Sequence, residues 1–323
     1  MSWRASARGM GLGRLAYRAY YRPRAFMRRC FDEGALNLLR SHRGRREMES
    51  AAARLRPSSV GASRDSQGAA IHFLTGRGYW YMTAFCAATL LRHAGRPLHL
   101  VIDDDGTLQP EHVAHLRRIL GGISVRTPSE IAAALDEHLP TSEFPALRAR
   151  RLAYPHLRKL TDIHAGCSGA RLVLDSDMLF WSRPDALLGW QKKPDGALCM
   201  KDCDDSYGYS FDLMEQLVGA PLPRRLNVGI VGLDGESIDW PSLERWTREL
   251  LEREGSSYYQ EQALTAMLFA RRKVTFLDAS RYVVKPGDAE VHSPSAALHH
   301  YVAESRHAYF QQAWHRAAES LKA

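Results

Sequence analysis

The sequence predicts an α/β fold with a mostly parallel central sheet, helices on both of its faces, and a basic helical segment at the N-terminus. Three observations carry this expectation. From residue 71 onward, short aliphatic runs alternate with helix-length amphipathic stretches, and that β-α-β-α-β rhythm builds parallel sheets. A strand-like run, Arg171 to Leu174, ends in Asp175-Ser176-Asp177, which places two carboxylates where open α/β sheets collect ligands. The 323 residues are 45% apolar and 25% charged, a globular balance in a chain long enough for one large domain and an appendage.

The elements follow in order. Residues 1–56 hold fourteen Arg, no Lys and four acidic residues, so the whole excess behind the formal net charge of +8 sits there. The body beyond is slightly acidic, which disfavours a nucleic-acid enzyme, whose cleft would be lined with basic residues. Residues 11–30 interleave Leu, Tyr, Phe and Met with Arg, on a helix interrupted near Pro23. Three readings stay open for this stretch: contact with an anionic membrane surface, a helix packed on the main domain, or an organellar transit peptide. Residues 57–69 are small and polar, as suits a linker, and the main domain is expected over residues 70–323. There is no run of about 18 apolar residues and no apolar core of a secretory signal. Cys30, Cys86, Cys167, Cys199 and Cys203 lack zinc-site spacing, so free thiols in a reducing compartment are expected. The expected location is cytoplasmic, with peripheral membrane contact as an open option.

Within the main domain, strands are predicted at residues 71–75, 98–103, 123–125, 171–174, 197–200, 228–233, 274–277 and 298–302. Helices are predicted at 79–93, ending before Gly95 and Pro97, at 111–120, and from Pro128-Ser129-Glu130 onward. A helical stretch over 144–165 leads into the Asp-Ser-Asp strand, and helices over 242–253, 260–270 and 308–321 complete the chain.

Asp175 and Asp177 can share one hard divalent cation, directly or through water. A cation so held would clamp a diphosphate and neutralise it as it leaves. Two acids at a strand end are also a common solubility device, so the pair gains weight only from its surroundings. A competing motif is Val101 to Leu108, VIDDDGTL, which resembles the first motif of the haloacid-dehalogenase phosphatases. In that family Asp103 would be the nucleophile and Asp105 the general acid. The Lys and distal acidic pair which that chemistry needs are poorly represented: Lys285 and Asp288 crowd together, with Ala289 where a second carboxylate might sit.

The pieces around the Asp-Ser-Asp strand resemble the GT-A nucleotide-sugar glycosyltransferases, and among them the glycogenin-like and lipopolysaccharide sugar-transferase family. Lys159 precedes Asp175 by sixteen residues, as a basic residue does there. Asn227-Val228-Gly229 matches an N-x-G on a later strand, and Glu261-Gln262 stands for the family's Asp-Gln. His300 and Arg306 keep the His-to-cation spacing of H-x-x-G-x-x-K-P-W, although Ala303 replaces the Gly, Arg306 the Lys, and His307-Ala308 the Pro-Trp. The resemblance spans roughly residues 70–310.

It implies a Rossmann-like GT-A fold and a metal-dependent enzyme using Mn²⁺ or Mg²⁺. The enzyme would move a sugar from a nucleoside diphosphate, above all uridine diphosphate, to a saccharide, lipid-linked or other hydroxyl acceptor. Asp175, Asp177 and His300 would hold the metal, with Asp177 the more direct ligand and Asp175 also reaching ribose. Lys159 and Arg306 would bind the diphosphate. Thr75, Arg77, Tyr79 and the Asp104 loop would lie near the nucleotide. Asn227, Gln262 and Glu261 would face the transferred sugar or the acceptor. Plainer readings stand beside these: Tyr79 packing against the sheet, Asn227 as a turn-capping amide, and Glu261 as an N-terminal helix charge. His299 is expected on the opposite face of its strand from His300. A non-catalytic nucleotide-sugar-binding protein of the same fold is the remaining alternative.

Overall fold

The computed structural model describes residues 33–322. The Arg-rich stretch 11–30 and Cys30 lie outside the described residues. Of the basic segment, Ala35–Ala52 forms a helix, α1, that buries Met48 and Ala52 against the main domain. Residues 57–69, expected as a linker, run along the domain: Ser58 N donates to Ile119 O (2.8 Å), Ser63 N to Leu98 O (3.0 Å) and Ala69 N to Gln191 O (2.7 Å).

The first half of the sheet is the predicted alternation. β1 (Ala70–Thr75), α2 (Trp80–Ala94), β2 (Leu100–Asp104), α3 (Pro110–Leu120), β3 (Ser124–Arg126) and α4 (Pro128–His138) follow one another. α2 stops at Gly95, whose φ of 64° is the left-handed conformation that ends helices. α4 starts on a capping box in which Thr127 accepts from Glu130 N and Glu130 accepts from Thr127 N. The single helical stretch expected over 144–165 is in fact broken. α5 (Pro145–Ala153) and α6 (Arg158–His164) are separated by a 3₁₀ turn at Pro155–Leu157, because Pro155 drives Tyr154 into an extended conformation.

β4 (Ala170–Leu174), β5 (Met178–Phe180), α7 (Asp185–Lys192), β6 (Ala197–Lys201), α8 (Phe211–Val218) and β7 (Leu226–Asp234) come next. After them run α9 (Trp240–Glu254), α10 (Gln260–Phe269), β8 (Val274–Phe276), β9 (Tyr282–Val284), α11 (Asp288–His292) and β10 (Leu298–His300). The chain closes with α12 (Arg306–Ala308), a π-helical turn at Tyr309–Ala313, and α13 (Trp314–Ser320).

Seven strands form the central sheet in the order β3-β2-β1-β4-β7-β6-β8, parallel except for β7, which runs antiparallel to both neighbours. The chain winds outward from β1 to β3 and then returns to the other side of β1 as β4. That reversal makes the carboxyl ends of β1 and β4 a topological switch point, where a crevice opens. One apolar core, built on Ile71, Phe85, Leu90 and Ile102, also takes in Phe310 and Trp314. The other contains Leu147, Cys199, Met214, Trp246 and Leu264.

A second sheet of three strands, β5-β10-β9, was not expected in full. Each strand has only three residues, too few to show a period, and β5 follows the Asp-Ser-Asp turn directly. It sets His300 in register with Met178 on one side and Val284 on the other. Among the described residues no helix is long and apolar enough to cross a membrane. The four described cysteines, Cys86, Cys167, Cys199 and Cys203, are free.

Candidate active site

The two sheets meet at Asp175 to Asp177. β4 ends at Leu174, and Asp175 N donates to Gly229 O of β7 (2.8 Å). Two residues on, Tyr301 N donates to Asp177 O (2.9 Å), which locks β10 beside the turn. Backbone pairing alone therefore carries His300 to the acids. Asp175, Asp177 and His300 each offer one ligand atom, and these atoms all lie within 4.8 Å of one another.

Which nitrogen of His300 faces an acceptor follows from its surroundings. Asn227 Oδ1 accepts from Gly229 N (2.9 Å) while Asn227 Nδ2 donates to Asp202 Oδ2 (3.0 Å), which fixes the orientation of the amide. His300 Nδ1 lies 3.2 Å from that same Oδ1 and must be the ring's N–H. The lone pair of a neutral ring then sits on Nε2, which is buried, has no hydrogen-bond partner, and faces Asp177 Oδ1 at 3.2 Å and Asp175 Oδ2 at 3.8 Å. A lone pair and two carboxylate oxygens converging on one point repel each other unless positive charge lies among them, either a proton on Nε2 or a metal ion. This donor set, two hard oxygens and one imidazole nitrogen, fits Mn²⁺ or Mg²⁺.

The outward oxygens of both acids are held by cations of the chain. Lys159 Nζ, buried, donates to Asp175 Oδ1 (2.8 Å) and lies 3.2 Å from Glu261 Oε2. Arg306 Nη2 donates to Asp177 Oδ2 (2.6 Å). Burial alone would raise Asp177, but His300 and Arg306 outweigh it and hold the carboxyl well below the usual range. Burial would likewise strip the proton from Lys159, and Asp175 and Glu261 keep it there, above the usual lysine range. Glu261 is pushed up to about 7 by its own burial, against the pull of Lys159.

Gly229 has a steric reason for its identity. A Cβ there would stand 2.4 Å from His300 Cε1 and 2.5 Å from Nδ1, so the imidazole occupies the space of the missing side chain. Asp202 completes the group, accepting from Asn227 Nδ2 and from Gln262 Nε2 (3.3 Å). Sequence reasoning missed it. The available signal was the one used for Asp175: an acid one residue past a strand's carboxyl end, here β6.

The structure thus brings Asp175, Asp177, His300, Lys159, Arg306, Asn227, Gln262 and Glu261 into one constellation. The nucleotide-side residues stand at the same edge of the sheet and are more varied in exposure. Thr75 is buried, its hydroxyl bonded to Thr83 Oγ1 (2.9 Å). Arg77 is exposed and its backbone N donates to Thr107 Oγ1 (2.9 Å). Tyr79 is half exposed. Asp104 Oδ1 accepts from the backbone N–H groups of Gly106, Thr107 and Leu108, so this carboxylate caps its own turn.

The phosphatase reading fails on geometry. Asp103 is wholly buried, with one carboxylate oxygen 2.8 Å from His72 Nδ1 and the other accepting from Arg126 Nη1 (2.7 Å). No substrate phosphorus can reach a carboxylate so enclosed. Lys285, its intended partner, pairs with Glu304 (2.8 Å). His299 points away from the acids, as alternation along a strand requires, and binds Glu290 (2.9 Å) and the Tyr301 hydroxyl (3.0 Å).

No protein-family model and no curated protein sequence matches the chain. Solved structures do. The bifunctional glycosyltransferase WbbM, in its apo form, is similar with a TM-score of 0.50 and 12% identity, over 81% of this chain and 53% of that one. The galactosyltransferase LgtC, solved with donor and acceptor sugar analogs, is similar with a TM-score of 0.51 and 14% identity, over 79% of this chain and 96% of that one. The architecture of this chain, a mainly parallel seven-stranded sheet flanked by helices with an Asp-Asp-His cluster at its switch point, is therefore the GT-A fold that the sequence led us to expect.

Proposed function

We propose that the chain is a metal-dependent glycosyltransferase, moving a hexose from a nucleoside diphosphate, uridine diphosphate in the first instance, to a hydroxyl of a saccharide or lipid-linked acceptor. The observation that carries this reading is the buried, unpartnered His300 Nε2 facing Asp175 and Asp177 at the switch point of the sheet. Asp175, Asp177 and His300 would hold Mn²⁺ or Mg²⁺. When bound, such a cation supplies neutralising charge for the leaving diphosphate.

The remaining residues divide the work. Arg306 presents a planar fork of donors suited to phosphate oxygens, and Lys159 a buried ammonium that fixes Asp175 and Glu261. Thr75, Arg77, Tyr79 and the Asp104 turn form the nucleotide side of the crevice. Asn227 and Gln262, both tied to Asp202, offer amides to sugar hydroxyls, with their orientation set before substrate arrives. Glu261, near neutrality in its proton affinity, is suited to accept a proton from an acceptor hydroxyl. The location proposed is cytoplasmic, with the Arg-rich N-terminus touching anionic membrane.

Calorimetry of uridine diphosphate with Mn²⁺ tests the assignment. The native chain should bind the nucleotide more tightly with the metal than without it, and Asp177→Asn should abolish that metal dependence with the fold intact. Metal-dependent binding undiminished in Asp177→Asn would remove the basis of the proposal.

A further inference from the structure

The segment that presents Arg306 to Asp177 is helical but not of one regular pitch. From Ala303 to Ala313 the backbone passes through a 3₁₀ turn, a three-residue α-turn and a π-helical turn. Ala303, where the chain leaves β10, sits at φ 49°, a left-handed conformation unfavourable for a residue with a Cβ. The backbone stays hydrogen-bonded, Arg306 N donating to Ala303 O and Tyr309 N to Arg306 O, but its pitch changes twice within eleven residues, so the contacts made from outside the segment help to decide where Arg306 stands. Apart from its neighbours in the chain, α1 is the main element packed on this turn.

The contacts are specific. His307, the residue after Arg306, is held at both ring nitrogens by the basic N-terminal segment: Nδ1 lies 2.7 Å from Ser41 Oγ and Nε2 lies 3.1 Å from Glu33 Oε2. Gln311 Nε2 donates to Ser41 Oγ (2.9 Å) and to Asn37 O (3.2 Å). Gly44 brings α1 against the backbone of the π-helical turn, where any Cβ would fall 1.8 Å from Phe310 O. The Arg45 guanidinium lies 4.7 Å from the centre of the Phe310 ring.

We propose that Ser41 and Glu33, acting through His307, are positioning residues for the Arg306 guanidinium, so that α1 is a working part of the diphosphate-binding apparatus. This inference rests on the glycosyltransferase reading, and it adds to that reading an N-terminal element which touches none of the reacting groups. A helix that merely covers the core would contribute stability and leave nucleotide affinity alone. A helix that sets the position of Arg306 must show its effect through Arg306.

A thermodynamic cycle separates the two. Binding of uridine diphosphate with Mn²⁺ is measured by calorimetry in the full chain, in Ser41→Ala, in Arg306→Ala and in the double variant, with a thermal melt on each. Ser41→Ala should weaken nucleotide binding by about threefold to tenfold, the equivalent of one neutral hydrogen bond. The same substitution should cost nothing further once Arg306 is Ala, since it then has no guanidinium to position. Ser41→Thr, which keeps the hydroxyl, should restore affinity. Unchanged affinity in Ser41→Ala, or an equal loss in the presence and absence of Arg306, would overturn the proposal and leave α1 as packing alone. A native chain that binds no uridine diphosphate would overturn the glycosyltransferase reading first, and this inference with it.

Discussion

At the scale of single residues, the site is organised by burial of charge. Asp177, His300, Lys159 and Glu261 are all buried; Arg306 answers the charge of Asp177 and Lys159 answers Glu261, while His300 Nε2 is left without a hydrogen-bond partner among the acids. His300→Ala removes one ligand and should weaken metal-nucleotide binding by about tenfold or more, whereas His299→Ala, on the opposite face, should leave it unchanged. Calorimetry of the two variants decides whether the right histidine was chosen. Glu261 gives a prediction in pH. Its proton affinity is raised from an ordinary 4.5 to about 7, so over that window the unfolded chain has released a proton that the folded chain keeps. Its contribution to stability is therefore fully present below about pH 4.5 and lost as pH rises through about 7. Chemical denaturation across that window should show the native chain losing stability more steeply than Glu261→Gln, and parallel curves would refute the assignment. Asp103 is the contrasting case, a buried acid with no ligand in reach. Asp103→Asn leaves Arg126 and His72 short of a charge and should cost roughly 3–5 kcal/mol of stability, while the folded fraction still binds nucleotide.

At the scale of elements, the parts that were legible in the sequence are those with a period or a fixed spacing. β1 to α4 showed their alternation in apolar residues, and Asp175, Asn227, Glu261 and His300 were marked by what surrounds them in the chain. What was not legible has physical causes. β5 and β9 have three residues each and no period to detect, so the sheet that carries His300 could not be drawn even though His300 itself was marked by its spacing to Arg306. Asp202 stands one residue past β6, a position visible in the sequence, but its bonds to Asn227 and Gln262 come from β6 lying next to β7, a long-range pairing that local pattern does not encode. Asp103 misled for the opposite reason: the string around it suits a phosphatase, but its partners, His72 on β1 and Arg126 on β3, lie on other strands. The pairing of β7 with β4 yields its own prediction. Gly229→Ala places a methyl 2.4 Å from the His300 ring and should displace it. The expected result is loss of metal-dependent nucleotide binding with a drop of about 1–3 kcal/mol in stability, as overpacking commonly costs. An unaltered affinity for nucleotide and metal in that variant would show that His300 has room to spare and does not depend on the glycine.

For the molecule as a whole, the distribution of charge is the feature that the fold does not use up. The body is slightly acidic, and Arg unbalanced by acid sits in residues 1–56, of which residues 33–56, with α1, are described. α1 displays Arg40, Arg43, Arg45 and Arg46 at the surface, with Leu36 and Leu39 exposed toward its N-terminal end, while Met48 and Ala52 join the core. Removing the segment back to Gln67 would therefore open the core, and the informative truncation begins at Glu33. Anionic lipid attracts clustered guanidinium groups, and the attraction falls off over a Debye length of about 10 Å at 0.1 M salt. The full chain should co-sediment with vesicles containing phosphatidylserine at low salt and be released as salt rises. The chain beginning at Glu33 should lose most of that binding while melting at nearly the same temperature. If the two chains partition equally at every salt concentration, residues 1–32 contribute nothing to membrane contact, and their charge must serve something other than a lipid surface.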